Sequence, residues 1–161
     1  MYRMRNFIIV TILVLFAVIN IVNAEDIRNA KWGMTVEEVV EAEDAQSEVV
    51  ESQFGTSVEC WVSLLGKQAQ LEYDFSDDNL LISARYLVRL YGDFYPEVYA
   101  QKIRTILIKK YGNINKSGYW IVEKRTSILL DSETNEVGGI VVIYYRSLAA
   151  YPMPEDESDK L

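Results

Sequence analysis

Ala69, Leu71, Tyr73 and Phe75 alternate with Gln70, Glu72 and Asp74, a period of two that fits a strand with one wet face. Ser76-Asp77-Asp78-Asn79 then supplies four turn formers, and the chain resumes with Leu80, Ile82, Ala84, Tyr86, Val88 and Leu90 at alternate positions. This pattern predicts an antiparallel hairpin with a one-sided core. A sheet wet on one face is covered on the other, so helical segments before and after it are expected to pack there. The predicted class is α+β, an antiparallel sheet with helices on one face.

The start of the chain points to export. Arg3 and Arg5 precede an apolar run from Phe7 to Val22, interrupted by Thr11 and Asn20, and Val22-Asn23-Ala24 leads into Glu25-Asp26. A charged start, an apolar stretch short of spanning length and small residues at the cut define a signal peptide over residues 1–24. No cysteine follows the cut, which argues against a lipoprotein. The alternative is an uncleaved N-terminal anchor that tethers a structural envelope protein. Either way the folded part is expected to be periplasmic or secreted.

Removing residues 1–24 takes away two arginines and no acid, so 16 Lys+Arg fall to 14 against 24 Asp+Glu, a net charge of −10. So acidic a protein is poorly matched to phosphate backbones or anionic lipid. No nucleic-acid partner is expected, and a membrane only if the N-terminal segment stays uncleaved. About 137 residues suit a single domain that buries about two-thirds of its unfolded surface. Cys60 is the only cysteine and the chain has no histidine. An intrachain disulfide is therefore impossible, and neither a thiolate nor a serine finds its usual activating base. Cys60 reads as a small buried hydrophobe.

Thr35 and Glu38 have capping-box spacing, Met34 and Val39 that of a hydrophobic staple, and Val36, Val39 and Val40 share one face. A helix is expected to start there, anchored by Trp32-Gly33. Asp44–Ser57 is expected to hold a short helix ending near Gly55. A strand over Glu59–Leu65 and a Gly66-Lys67 turn then lead into the hairpin. Pro96 opens a second helix to about Lys110, with Tyr99, Ile103, Ile106 and Leu107 on its apolar face and Gly112 as its stop. Three further strands are predicted at Tyr119–Val122, Ser127–Leu130 and Ile140–Tyr145. Residues 32–91 and 94–147 thus each read as a helix followed by three strands, a duplicated unit within a domain over 25–150. Residues 151–161 read as a disordered acidic tail.

Trp32-Gly33-Met34-Thr35 with Glu38-Val39, the run Leu71-x-Tyr73-x-Phe75-x-Asp77-Asp78-x-Leu80, and Lys110-Tyr111-Gly112 before a tryptophan strand carry a resemblance. Together they resemble small exported bacterial proteins with the β-lactamase-inhibitor-protein-like fold, similar also to the small lipoprotein of the outer-membrane β-barrel assembly machine. The likeness spans most of residues 27–147 and implies a non-enzymatic, protein-binding role with the open sheet face as the contact surface. The missing anchoring cysteine departs from the lipoprotein members.

The residues themselves offer a rival. Asp74, Ser76, Asp77, Asp78 and Asn79 could present oxygens to calcium, and Glu59, Glu72 or Asp74 could pair as hydrolytic carboxylates. Ordinary turn chemistry and a wet acidic face account for the same residues, and the turn lacks the full calcium-binding loop. Neither a cofactor nor a metal is therefore expected, and no reaction of its own. Tyrosine and tryptophan favour interfaces. Adjacent Tyr144 and Tyr145 must point to opposite faces. Trp61, Tyr91, Phe94, Tyr95, Trp120 and Tyr145 are the candidate interaction surface, for another protein.

Overall fold

The computed structural model describes residues 27–43, 46–53, 55–92, 95–135 and 138–153. The predicted signal peptide, Phe94 and residues 154–161 of the tail lie outside the described residues. Among the described residues two helices, α1 (Val36–Ala42) and α2 (Pro96–Tyr111), accompany seven strands. These are β1 (Ser47–Ser52), β2 (Gly55–Leu64), β3 (Lys67–Phe75), β4 (Leu81–Tyr91), β5 (Trp120–Val122), β6 (Thr126–Asn135) and β7 (Gly138–Ser147). All pairings are antiparallel, in one sheet of order β1-β2-β3-β4-β7-β6-β5. The class is α+β, as the alternation predicts.

The capping box forms at α1. Thr35 N donates to Glu38 Oε2 at 2.9 Å and Glu38 N donates to Thr35 Oγ1 at 3.4 Å. Trp32 ties this segment across the molecule, its Nε1 donating to Thr126 Oγ1 at 2.8 Å. In α2, Pro96 occupies the first turn, Gly112 at φ 83° ends the helix, and Tyr99, Ala100, Ile103 and Leu107 are buried. Ile106, expected on the apolar face, is exposed.

Three local readings are corrected. Residues 47–52 form a strand, not a short helix, because β-branched Val49 and Val50 pair with Val58 and Ser57 and fit a pleated surface better than a helix turn. The β2–β3 turn is Leu65-Gly66, both at positive φ (48° and 78°), as a two-residue loop matching strand twist requires. A register shift between Asp74 and Phe75 turns Leu81 into the core and leaves Leu80 exposed. The bulge adds a residue on one strand and inverts the side-chain alternation at that end.

The core lies on the helix side. Val58, Tyr73, Ala84, Tyr145, Ile128 and Trp120 form one cross-strand row there, and Cys60, Leu71, Tyr86, Ile143 and Leu130 form the next. α1 packs on β2, and α2 on β5, β6 and β7. Seven strands about 4.8 Å apart span about 29 Å, while two helices about 10 Å wide cover about 20 Å. The segment before α1 closes over part of the remainder, with Ile27 and Ala30 buried and Trp32 bonded to Thr126.

Candidate functional site

Two regions present chemistry, one on each face of the sheet. On the face that no helix covers among the described residues, Trp61, Gln70, Leu87, Val142 and Asp131 face one another across five strands. The adjacent row is Glu59, Glu72, Arg85, Tyr144 and Leu129. Glu59 directly opposite Glu72 would repel. The face answers with donors: Gln70 Nε2 reaches Glu59 Oε2 at 2.6 Å, and Arg85 clamps Glu72 through Nε (2.9 Å) and Nη2 (2.8 Å). Ser83 Oγ donates to Asp74 Oδ2 at 2.7 Å. The acids weighed as hydrolytic or calcium ligands on the strands thus already hold protein donors.

Trp61 is 56% exposed on this face, while Leu87, Val142, Tyr144 and Leu129 are half-buried beside it. Arg146 stands with its guanidinium carbon 5.9 Å from the Tyr144 ring and 5.8 Å from the Tyr151 ring. The face thus carries a half-buried apolar run of Leu87, Val142, Tyr144 and Leu129, separated from Trp61 by Gln70 and edged by charged side chains.

The expected surface residues do not form one patch. Trp61 projects from the open face, and Tyr91 and Tyr95 are exposed near the β4–α2 connection. Trp120 is corrected to the core: it is 1% exposed, and its Nε1 donates to Gly112 O at 3.0 Å. Its pairing with Ile128 puts it on the inner face, where the largest apolar side chain of β5 seals the sheet edge under α2. Tyr145 is corrected too. It pairs with Ala84 and Ile128, so it shares their inner face and Tyr144 takes the open one.

The inner face holds what the alternation alone does not reveal. A cavity of about 630 Å³ is bordered by Ile27, Val62, Leu64, Val122 and Ile128, by Tyr86, Tyr111 and Tyr145, and by Arg28, Lys110 and Glu123. Tyr86 and Tyr145 meet edge to face with centroids 6.0 Å apart. Next to it Glu43, buried at the end of α1, accepts from Tyr73 Oη at 2.6 Å through Oε1. Its Oε2 lies 2.8 Å from Arg28 Nε, a charge contact without an aligned hydrogen bond, for no donor among the described residues is directed at that oxygen. Burial pushes the Cys60 thiol up to about 11, with the charge of Glu43 adding. Burial also pushes Tyr86 up to about 12 and raises Tyr73 and Tyr145 well above the ordinary phenol value. All four are neutral at physiological pH. Helical spacing carried a signal for Glu43, four residues after the buried Val39 on the same face.

Comparison with protein-family models, with curated proteins and with solved structures returns no match. The class that fold and surface define is an α+β domain whose described helices lie on one sheet face, over a tyrosine-floored hollow, and leave the other face open.

Proposed function

We propose that this chain is an exported, non-enzymatic protein-binding module of the bacterial envelope, periplasmic or secreted, that takes its partner on the open sheet face. One observation carries the reading: Trp61, 56% exposed, stands on the open face in the row that continues through Gln70 to Leu87 and Val142. Exposed tryptophans are among the side chains on which binding energy concentrates, with the neighbouring contacts excluding water around them. The Arg85–Glu72 clamp stiffens the margin and lowers the entropy lost on contact. The resemblance in the Trp32–Val39 and Leu71–Leu80 runs points the same way. We further propose that the fold arose by duplication of a helix-plus-three-strand unit. β2-β3-β4 and β5-β6-β7 each follow a helix and meet through β4 and β7, with β1 as an addition to the first half.

The test places a photo-crosslinking residue at position 61, and separately at exposed position 106 on α2, in the chain expressed in its own cells. A discrete adduct to another protein from position 61 but not 106, lost on Val142→Glu without loss of the folded protein, supports the reading. No adduct at 61, or equal adducts at both positions, overturns it.

A further inference from the structure

The inner cavity has no place in the protein-binding reading. It lies on the opposite face from Trp61, and its size, about 630 Å³, falls within the range of small-molecule sites, roughly 300–1,000 Å³. Its cause is structural. The end of α2 at Tyr111 and the segment carrying Ile27 and Arg28 meet over the sheet without filling the space above Tyr86 on β4 and Tyr145 on β7. A void left only by poor packing would be lined by aliphatic groups alone and would stay dry. This one carries a graded lining.

Ile27, Val62, Leu64, Val122 and Ile128 form apolar walls. Tyr86 and Tyr145 have no hydrogen-bond partner for their hydroxyls among the described residues. Both are neutral phenols and so free donors. The charged groups at the margin are Arg28, Lys110 and Glu123. With Arg28 compensated by Glu43, Lys110 and Glu123 are the two opposed charges left at the margin. Arg28 is held to Glu43 from below. Lys110 is exposed, stands with Nζ 4.8 Å from the Tyr111 ring, and makes no ion pair among the described residues. An apolar body fits the walls, and an anionic oxygen head accepts from the phenols and faces the ammonium.

We propose that this cavity binds an amphipathic monocarboxylate, an apolar chain or ring system ending in one carboxylate, with Lys110 and the Tyr86 and Tyr145 hydroxyls at the head group. Glu123 is the one opposing charge at the mouth, and it gives the proposal a second sign to test.

The purified chain is titrated with anilinonaphthalene sulfonate, followed by fluorescence, and the dye is displaced with dodecanoate or with dodecyltrimethylammonium, which has the same tail and the opposite charge. Dodecanoate is expected to displace the dye at about tenfold lower concentration than the cation. Lys110→Glu is expected to weaken dodecanoate about tenfold and to favour the cation, and Glu123→Gln to tighten dodecanoate severalfold. Val122→Trp, which fills the hollow, is expected to abolish uptake of both. Lys110 and Glu123 are exposed, so their variants keep the test sound should the tryptophan variant misfold. Equal displacement by both amphiphiles, no dye uptake, or dodecanoate binding untouched by Lys110→Glu overturns the proposal. So does binding lost on Val142→Glu, which would put the amphiphile on the open face.

Discussion

Glu43 has a fully buried side chain and two partners, Tyr73 Oη at 2.6 Å and Arg28 Nε at 2.8 Å. Breaking such a pair from one side leaves the other charge without compensation, which costs about 3–5 kcal/mol in buried settings. Arg28 is partly exposed, so Glu43→Ala is expected to fall at the lower end, near 3 kcal/mol. Tyr73→Phe, which removes one donor to a charged acceptor, should cost about 1.5–3 kcal/mol. Urea unfolding of both variants checks the order, and a Tyr73→Phe loss larger than that of Glu43→Ala would contradict it. The same neighbourhood sets the alkaline limit. Cys60, raised from 9.0 to about 11, and Tyr86, raised from 10.0 to about 12, hold their protons in the folded state where the unfolded chain has released them. The folded state then binds more protons, so stability falls as pH rises, beginning near 9 and continuing through about 12. Thermal melts between pH 7 and 11 should show Tm level at first and falling above pH 9. At pH 8 Cys60 should react with a disulfide reagent only at the rate of unfolding. The alternation of residues 69–75 made Tyr73 legible as core. The faces of Tyr144 and Tyr145 were not, because parity separates the two side chains but only the register with β4 assigns them.

Elements follow local rules where the signal is local. Thr35 and Glu38 close the capping box that their spacing announces, and Thr35→Ala is expected to cost about 1 kcal/mol in chemical denaturation. The Leu65-Gly66 turn was missed by one residue because nothing local marks a leucine for φ 48°; the register of β2 on β3 imposes it. A side chain in that region stores about 1 kcal/mol. Leu65 is exposed, so Leu65→Gly or Leu65→Asn should raise the midpoint of unfolding rather than lower it. β7 shows the reverse case. A Cβ on Gly139 would run into the Glu133 carbonyl and the Pro96 ring, where β6, β7 and the start of α2 meet. Gly139→Ala should therefore destabilise by at least the 1–3 kcal/mol typical of overpacking. The reading of residues 44–57 failed for a similar reason. Val49 and Val50 alone carry too little pattern to separate a strand from a helix, and pairing with β2 decides.

At the scale of the molecule, one-sided alternation was enough to anticipate a half-covered antiparallel sheet, but not its strand order. That order depends on β4 meeting β7, with Ser83 opposite Arg146 and Tyr91 opposite Gly138, a pairing between segments far apart in sequence that no local pattern encodes. It joins the two halves at the centre of the sheet, so neither half can keep its own core if the other opens. β1 sits at the opposite extreme: it is an edge strand, mostly exposed, and carries Glu48 and Glu51, charges that discourage further pairing at an edge. Native-state hydrogen exchange should therefore find the amides of Val88 and Val141 opening only with global unfolding, at matching free energies, while those paired across β1 exchange through local fraying. Two independently stable halves would instead give two distinct limits, one for β3–β4 and one for β6–β7. The shared limit matters for both faces. Trp61 and the strip around Leu87 and Val142 spread across the β4–β7 seam, as do Tyr86 and Tyr145 beneath it, so a sheet that opened at its centre would lose the outer surface and the inner hollow together.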